Sequence, residues 1–148
     1  MASKEGVRRS IVVASKASSL DEVCERIVSE AERHKYSEDD IFAVHLALEE
    51  AFINAVRHGN KDCLGKGIAV DYTITAERIE ISVTDQGNGF DPQAVPDPRS
   101  AENLYKTCGR GLLLMRCFMN KVEFNEVGNC VRMVRYKGQP ALPAGQKQ

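Results

Sequence analysis

Hydrophobic residues recur along the chain with two different periods, and the change of period separates predicted strands from predicted helices. Apolar and polar residues alternate strictly over 68–74 and again over 79–83, and a short turn joins the two stretches. A period of two is typical of an antiparallel hairpin with one buried face. Shorter apolar runs predict three further strands, over 7–14, 122–125 and 130–136.

The other apolar positions repeat at helical spacing and predict two long helices and a shorter third one. The first covers 19–35 and opens with the capping-box pattern S-L-D-E, in which its first serine is the N-cap. The second begins after Ser37 and ends near His58, where Gly59 is suited to the left-handed C′ position. The third occupies roughly 111–119.

The predicted order is one strand, two helices, two strands, a long loop, one helix and two strands. Helices on one face of a mixed, mostly antiparallel sheet make an α+β fold, a two-layer α/β sandwich. We expect a single domain over 1–148, with its core over about 8–136 and a flexible tail over 137–148. The loop over 85–108 is rich in Gly, Pro, Asp and Asn, which is typical of a lid or a binding loop.

Composition narrows the classes of partner. The formal net charge is −1, so no overall field attracts nucleic acid or an anionic membrane. The longest aliphatic stretch, 112–115, is far shorter than the roughly 20 residues of a membrane span. The five cysteines lie far apart with no zinc-ligand spacing, and no secretory signal is visible at the start. We therefore expect a cytoplasmic protein with no direct nucleic-acid partner and no membrane partner, whose cysteines act mostly as small hydrophobes.

The second helix carries a strip of polar side chains. Glu50 and Asn54 are four residues apart, so a carboxylate and an amide project side by side, and Arg57 continues the strip. This pair suits one general base and one Mg²⁺ ligand, because Mg²⁺ prefers hard oxygen ligands. Glu49 is the poorer candidate, since it lacks a polar partner four residues on. The alternative interpretation is a solvated helix face that binds no ligand.

The rest of that helix is predicted to be buried. The main apolar stripe includes Val44, His45 and Leu48, so we predict that His45 is packed in the core. Ala43 and Ala47 border the polar strip, where their small side chains leave room for a ligand.

Two glycine-containing motifs follow. In D-x-G-x-G, Asp85 can accept a hydrogen bond from an amino group, while Gly87 and Gly89 let the backbone approach a flat ligand. The alternative is a hairpin turn at the N-G pair, although no alternating strand follows it. In G-x-G, Gly109 and Gly111 open the third helix, an arrangement suited to an anion, although a flexible helix start is the commoner explanation.

The combination of these motifs is more specific than its parts. An E-x-x-x-N helix, a D-x-G-x-G about thirty residues on, a loop and a G-x-G-L resemble the N, G1 and G2 boxes of the GHKL ATPases, which have the Bergerat fold. The resemblance covers essentially 8–136. The phrases EAFINAVRHGN over 50–60 and GRGLLLM over 109–115 are similar to one branch, the anti-sigma factor serine/threonine kinases of the RsbW/SpoIIAB type.

This resemblance implies ATP and Mg²⁺ as cofactors and a role for each matched residue. Glu50 would be the general base for the attacking hydroxyl, and Asn54 would be the Mg²⁺ ligand. Asp85 would bind the adenine amino group, with Gly87 and Gly89 shaping the base pocket. The remaining cofactor-binding residues would be Arg57, Gly109, Arg110, Gly111 and Leu112.

The resemblance also implies partners. A protein serine/threonine kinase of this branch phosphorylates a serine of a STAS-domain anti-anti-sigma protein, and as a homodimer it sequesters a sigma factor. The alternative function is a nucleotide-gated partner-switching binding protein with little or no kinase activity. One departure concerns the last strand, which commonly begins Gly-Thr-Thr in the family and reads Gly128-Asn129-Cys130 in this chain.

Overall fold

A five-stranded sheet forms one layer of the protein. The computed structural model describes residues 6–61, 65–87 and 115–138. The strands lie in the order β1-β2-β3-β5-β4, and all four pairings are antiparallel. Their bounds are Val7–Ala14 (β1), Gly67–Ile74 (β2), Arg78–Thr84 (β3), Lys121–Phe124 (β4) and Cys130–Tyr136 (β5).

Two helices form the second layer. They are Ser19–Arg33 (α1) and Glu38–Asn54 (α2), and a π-helical turn at Ala55–Gly59, the π-turn, continues α2. Residues 115–118 are helical, which agrees with the end of the predicted third helix, and the start of that helix lies outside the described residues. Within the described ranges, no helix is long and apolar enough to span a membrane.

The core lies between the sheet and the two helices, as the alternating pattern predicts. Apolar residues at every second position of β2 and β3 point to the helices and are almost completely buried. The largest fully buried side chains come from both layers: Ile27, Leu48, Phe52, Ile68, Val70, Ile74, Ile79, Ile81, Met115, Met119 and Met133. The predicted two-layer α+β architecture is confirmed.

The start of α1 differs from the predicted capping box. Ser19 is already helical, so the N-cap position falls on Ser18, whose side chain makes no capping hydrogen bond. The first amides are satisfied by backbone instead: Ser19 N donates to Lys16 O (3.0 Å) and Leu20 N donates to Ala17 O (3.1 Å). Backbone carbonyls of the preceding turn therefore accept hydrogen bonds from the first helical amides, as a serine hydroxyl does in a capping box.

Helix α2 begins as predicted, but its buried face is rotated from the predicted one. Ser37 Oγ accepts a hydrogen bond from Asp40 N (3.1 Å), which is an N-cap interaction. Ala43 and Ala47 are buried in the core, and His45 is exposed, so the prediction of a core histidine is wrong. The small side chains of Ala43 and Ala47 are 2% and 0% exposed, so the prediction that they leave room for a ligand is wrong.

A buried ion pair joins the start of α2 to the end of β5. Asp40 and Arg135 are 1% and 5% exposed, and Arg135 Nη2 lies 2.9 Å from Asp40 Oδ1. Arg135 Nη1 also donates to Phe118 O (2.6 Å), while Gly138 N donates to Asp40 Oδ2 (2.9 Å). Every charged atom is therefore paired, which a charge removed from water requires.

We expect Arg135→Leu to lower the free energy of unfolding by about 3–5 kcal/mol, because it leaves the Asp40 carboxylate buried without its counter-ion. The matched control is Arg132→Leu on the same strand, since Arg132 pairs with Glu80 and Glu123 at a more exposed position. That variant should lose about 1 kcal/mol or less. Urea unfolding of both variants makes the comparison, and equal losses would contradict a special role of the buried pair.

Candidate functional site

The candidate site begins where α2 ends. Glu50 and Asn54 lie one turn apart on α2, and both side chains are half-buried. After Asn54 the helix widens into the π-turn, in which Arg57 and His58 are exposed. Such π-helical turns are rare and occur frequently at functional sites. The π-turn brings Gly59 against the end of β3.

Gly59 contacts Asp85 at this junction, and the contact explains why the residue is glycine. Its φ angle is not in the left-handed region, so the prediction of a left-handed C′ residue is wrong. A Cβ built on Gly59 would lie 2.7 Å from Asp85 Oδ1 and closer still to Oδ2. A Cβ built on Gly87 would lie 2.7 Å from the carbonyl carbon of Gly59. The two glycines therefore permit a close approach of backbone that any side chain would prevent.

Asp85 is positioned by backbone groups on two sides. Asp85 N donates to Asn129 O (2.9 Å), and Asp85 Oδ1 accepts from Gly87 N (2.8 Å). Burial raises the pKa of the Asp85 carboxyl, while the Gly87 hydrogen bond and the charge of Lys66 partly oppose this shift. A carboxylate oxygen accepts two hydrogen bonds, so this group has capacity left for the amino group of a ligand.

The raised pKa predicts the effect of Asp85→Asn on stability. A carboxyl whose pKa is higher in the folded state costs stability as the pH rises through that pKa. The neutral amide avoids this cost and can still accept the Gly87 hydrogen bond. We therefore expect Asp85→Asn to raise the free energy of unfolding at pH 7 relative to the wild type, and the gain to disappear below the ordinary pKa of 3.8. Urea unfolding of both proteins at pH 7 and at a pH below 3.8 measures this difference. A variant that is no more stable than the wild type at pH 7 would contradict the prediction.

The structure thus brings together part of the predicted site. Gly59 joins the end of the helix that carries Glu50 and Asn54 to the D-x-G-x-G segment that carries Asp85 and Gly87. The described residues contain no group of three or more His, Cys, Asp or Glu side chains that could bind a metal ion. The other predicted site residues lie outside the described residues: Gly89, Gly109, Arg110, Gly111 and Leu112.

Sequence reasoning missed three residues of this junction. The sequence predicts Gly59 at the end of the helix and does not indicate its contact with Asp85. Asn60 is fully buried and donates and accepts hydrogen bonds on both sides of the junction. Asn129, just before β5, is bonded to Asp85 through its backbone carbonyl. Only the G-N-C departure over 128–130 and the phrase R-H-G-N give any signal of these roles.

The chain is similar to known proteins both in sequence and in fold. Residues 13–135 match the family model described as the histidine kinase-like ATPase domain. The chain belongs to this ATPase family. The predicted GHKL resemblance is thereby confirmed for most of the chain, from the end of β1 to β5.

Relatives with curated names indicate which branch of the family this chain resembles. The chain is 31% identical over 113 residues to the serine-protein kinase RsbW of Bacillus subtilis strain 168, covering 72% of this chain and 71% of the relative. It is 32% identical over 122 residues to a serine-protein kinase RsbW of Bacillus licheniformis, covering 78% and 76%. The expectation of an ATP-dependent protein kinase of the RsbW type is confirmed.

A solved structure supports the fold. The crystal structure of the RsbU and RsbW domains of a Mycobacterium tuberculosis protein matches with a TM-score of 0.61 and 16% sequence identity. The match covers 93% of this chain and 34% of that one, so this chain spans about a third of the solved chain. At this identity the likeness shows the fold alone.

Proposed function

We propose that this kinase transfers the γ-phosphoryl group of ATP to a serine of a STAS-domain anti-anti-sigma protein and, in a second state, sequesters a sigma factor. The observation that carries the proposal is the contact of Gly59 with Asp85, since it joins the helix of Glu50 and Asn54 to the D-x-G-x-G segment. The serine-protein kinases among its relatives support the choice of acceptor.

In this proposal, Asp85 binds the adenine. Asp85 is half-buried; its carboxylate accepts a hydrogen bond from Gly87 N, and its backbone N–H donates to Asn129 O. A carboxylate that accepts from the exocyclic amino group distinguishes adenine from a base that presents a carbonyl there. Gly87 and Gly89 form the surface against which the flat base lies.

Glu50 and Asn54 act on the phosphate end. Glu50 takes the proton of the attacking serine hydroxyl as its oxygen bonds to the γ-phosphorus, while the bond from that phosphorus to the β,γ-bridging oxygen breaks and ADP leaves. Asn54 offers one hard amide oxygen, which fits Mg²⁺ because this ion takes few protein ligands and keeps waters and phosphate oxygens. When bound, Mg²⁺ neutralises phosphate charge. The positions of the two side chains, one helical turn apart on α2, suit these two roles.

The remaining assignments rest on the resemblance. Gly109, Arg110 and Gly111 cradle the phosphates, because a G-x-G before a helix offers free N–H groups to negative charge, and Arg57 and Leu112 are further cofactor-binding residues. The kinase acts as a homodimer in the cytoplasm, where sigma factors and RNA polymerase are found. It contacts neither nucleic acid nor membrane directly.

Transfer of radiolabelled phosphate tests this function. The kinase is incubated with Mg²⁺, γ-labelled ATP and candidate STAS-domain proteins, each paired with a variant whose acceptor serine is replaced by alanine. We expect label on the wild-type acceptor and none on the alanine variant. Label on no candidate, with ATP binding intact, would contradict the proposed acceptor class.

A further inference from the structure

Asn60 is a polar side chain in the core that none of the roles above uses. It follows Gly59 directly and is 0% exposed. Its backbone N–H donates to Ala55 O (2.8 Å), across the π-turn. Its side-chain oxygen, Oδ1, accepts from Gln86 N (2.7 Å), and Gln86 is the residue next to Asp85. One residue therefore joins the end of the π-turn to the segment that carries the proposed adenine-binding carboxylate.

The amide nitrogen of Asn60 bonds to the two strands at this edge of the core. Nδ2 donates to Ser15 Oγ (3.0 Å), just after β1, and to Gly67 O (3.1 Å), at the start of β2. Both amide protons and the carbonyl oxygen are thus in use. Ser15 is also fully buried, so the bond between Asn60 and Ser15 forms in surroundings that water does not reach, while the bond to Gly67 O is partly buried.

The bonding pattern requires asparagine. Gln86 N–H needs an acceptor and Gly67 C=O needs a donor, and an amide supplies both from one branched group. Aspartate has no donor for Gly67 O, and alanine removes the partner of both backbone groups at part-buried positions. A polar group that loses its partner where water is partly excluded costs free energy, so the segment would shift to satisfy it.

A second bond holds the same segment. Gln86 Oε1 accepts from Gly67 N (2.9 Å), and Asp85 N donates to Asn129 O (2.9 Å) on the other side. Asp85 is therefore held on two sides. Its neighbour Gln86 is linked to β2 through Asn60, and its own backbone N–H is bonded to Asn129, just before β5. Because the backbone of 85–86 sets the direction of the Asp85 side chain, the Asn60 bond to Gln86 is one of the bonds that hold that direction.

We propose that Asn60 is a positioning residue that aims the Asp85 carboxylate at the amino group of adenine and so sets the selectivity of the site for that base. This inference rests on the proposed role of Asp85. A hydrogen bond weakens steeply as its distance and angle change, so a shifted carboxylate loses selectivity before it loses all affinity for the nucleotide.

The test compares ATP with purine riboside triphosphate, which carries hydrogen where ATP carries the amino group. Calorimetric titration with Mg²⁺ gives the ratio of the two dissociation constants for the wild type, Asn60→Ala and Ser15→Ala. We expect the wild type to prefer ATP at least about tenfold. Asn60→Ala should reduce this preference to about threefold or less. Ser15→Ala is the matched control: it removes one bond of Asn60 but leaves the bond to Gln86, so the ratio should stay within about twofold.

Each outcome distinguishes the inference from the proposed function. A wild type that binds neither nucleotide, or binds both equally, overturns the role of Asp85 and the inference with it. A selective wild type together with a folded, equally selective Asn60→Ala overturns the inference alone. If Asn60→Ala does not fold, Asn60→Ser is titrated instead, because its short hydroxyl does not reach Gln86 N. Loss of fold in both variants would assign Asn60 to stability only and overturn the proposal.

Discussion

Gly59→Ala is expected to weaken Mg·ATP binding at least about 100-fold, because a misplacement of about 1 Å at a site can have an effect of that size. The added methyl group would overlap the Asp85 carboxylate, with 2.7 Å between its carbon and Oδ1 and less to Oδ2. The atoms it meets belong to a side chain that is bonded to Gly87 and whose backbone is bonded to Asn129, so neither partner can move freely. The contact therefore opens, and the π-turn separates from the D-x-G-x-G segment.

The chain offers a matched control for this substitution. A Cβ built on Gly65 meets nothing within 4 Å, and its φ lies outside the left-handed region. Gly65→Ala should leave binding unchanged, while both variants undergo the same chemical change. Calorimetry measures affinity, and thermal unfolding shows whether each variant is folded. Full affinity in folded Gly59→Ala would contradict the importance of the close approach.

Glu50→Gln is expected to lower the rate of phosphoryl transfer by about 10²–10⁴-fold, the usual contribution of a general base. The amide has nearly the shape of the carboxylate but cannot accept the proton of the attacking hydroxyl. Nucleotide binding should change little, because the adenine and phosphate contacts are assigned to other residues. Single-turnover transfer of labelled phosphate measures the rate, and calorimetry measures the affinity.

Glu49→Gln is the control for that prediction. Glu49 directly precedes Glu50 on α2, but its side chain lines an open groove between α1 and α2 together with Val28 and Phe42. The two variants remove the same charge from adjacent positions on different sides of one helix. Transfer by Glu49→Gln should remain close to the wild-type rate. If both variants lose activity equally, or Glu50→Gln keeps it, the assignment of the base is wrong.

The strands and helices could be predicted because local patterns carry the information. In β2, alternation follows from one face packing on the helices, and Ile68, Val70 and Ile74 are all fully buried. Ser37 caps α2 because its hydroxyl and the Asp40 amide are three residues apart, which is a local relation. The buried face of α2 was harder to predict. Both sides of this helix carry apolar residues, and Phe42 remains 61% exposed.

The site itself could be predicted only in part, because its decisive contacts are long-range. Nothing local to Gly59 indicates that its Cα faces Asp85, a contact set by where α2 ends relative to β3. The hydrogen bonds of Asn60 link residues up to 45 positions apart. The ion pair of Asp40 and Arg135 spans 95 positions, and charged residues are predicted to be solvated unless a partner is known. Local motifs indicate which residues take part in the chemistry, whereas long-range contacts between distant segments determine where those residues lie.

The central claim is that the end of α2 and the segment at Asp85 together bind ATP. Calorimetric titration of the wild type and Asp85→Asn with Mg·ATP tests it most directly. We predict saturable binding by the wild type with a Kd of ~1 μM, equivalent to about −8 kcal/mol. Binding by Asp85→Asn should be at least about tenfold weaker, because this variant loses a charged acceptor. A wild type without saturable binding, or a variant with wild-type affinity, would contradict it.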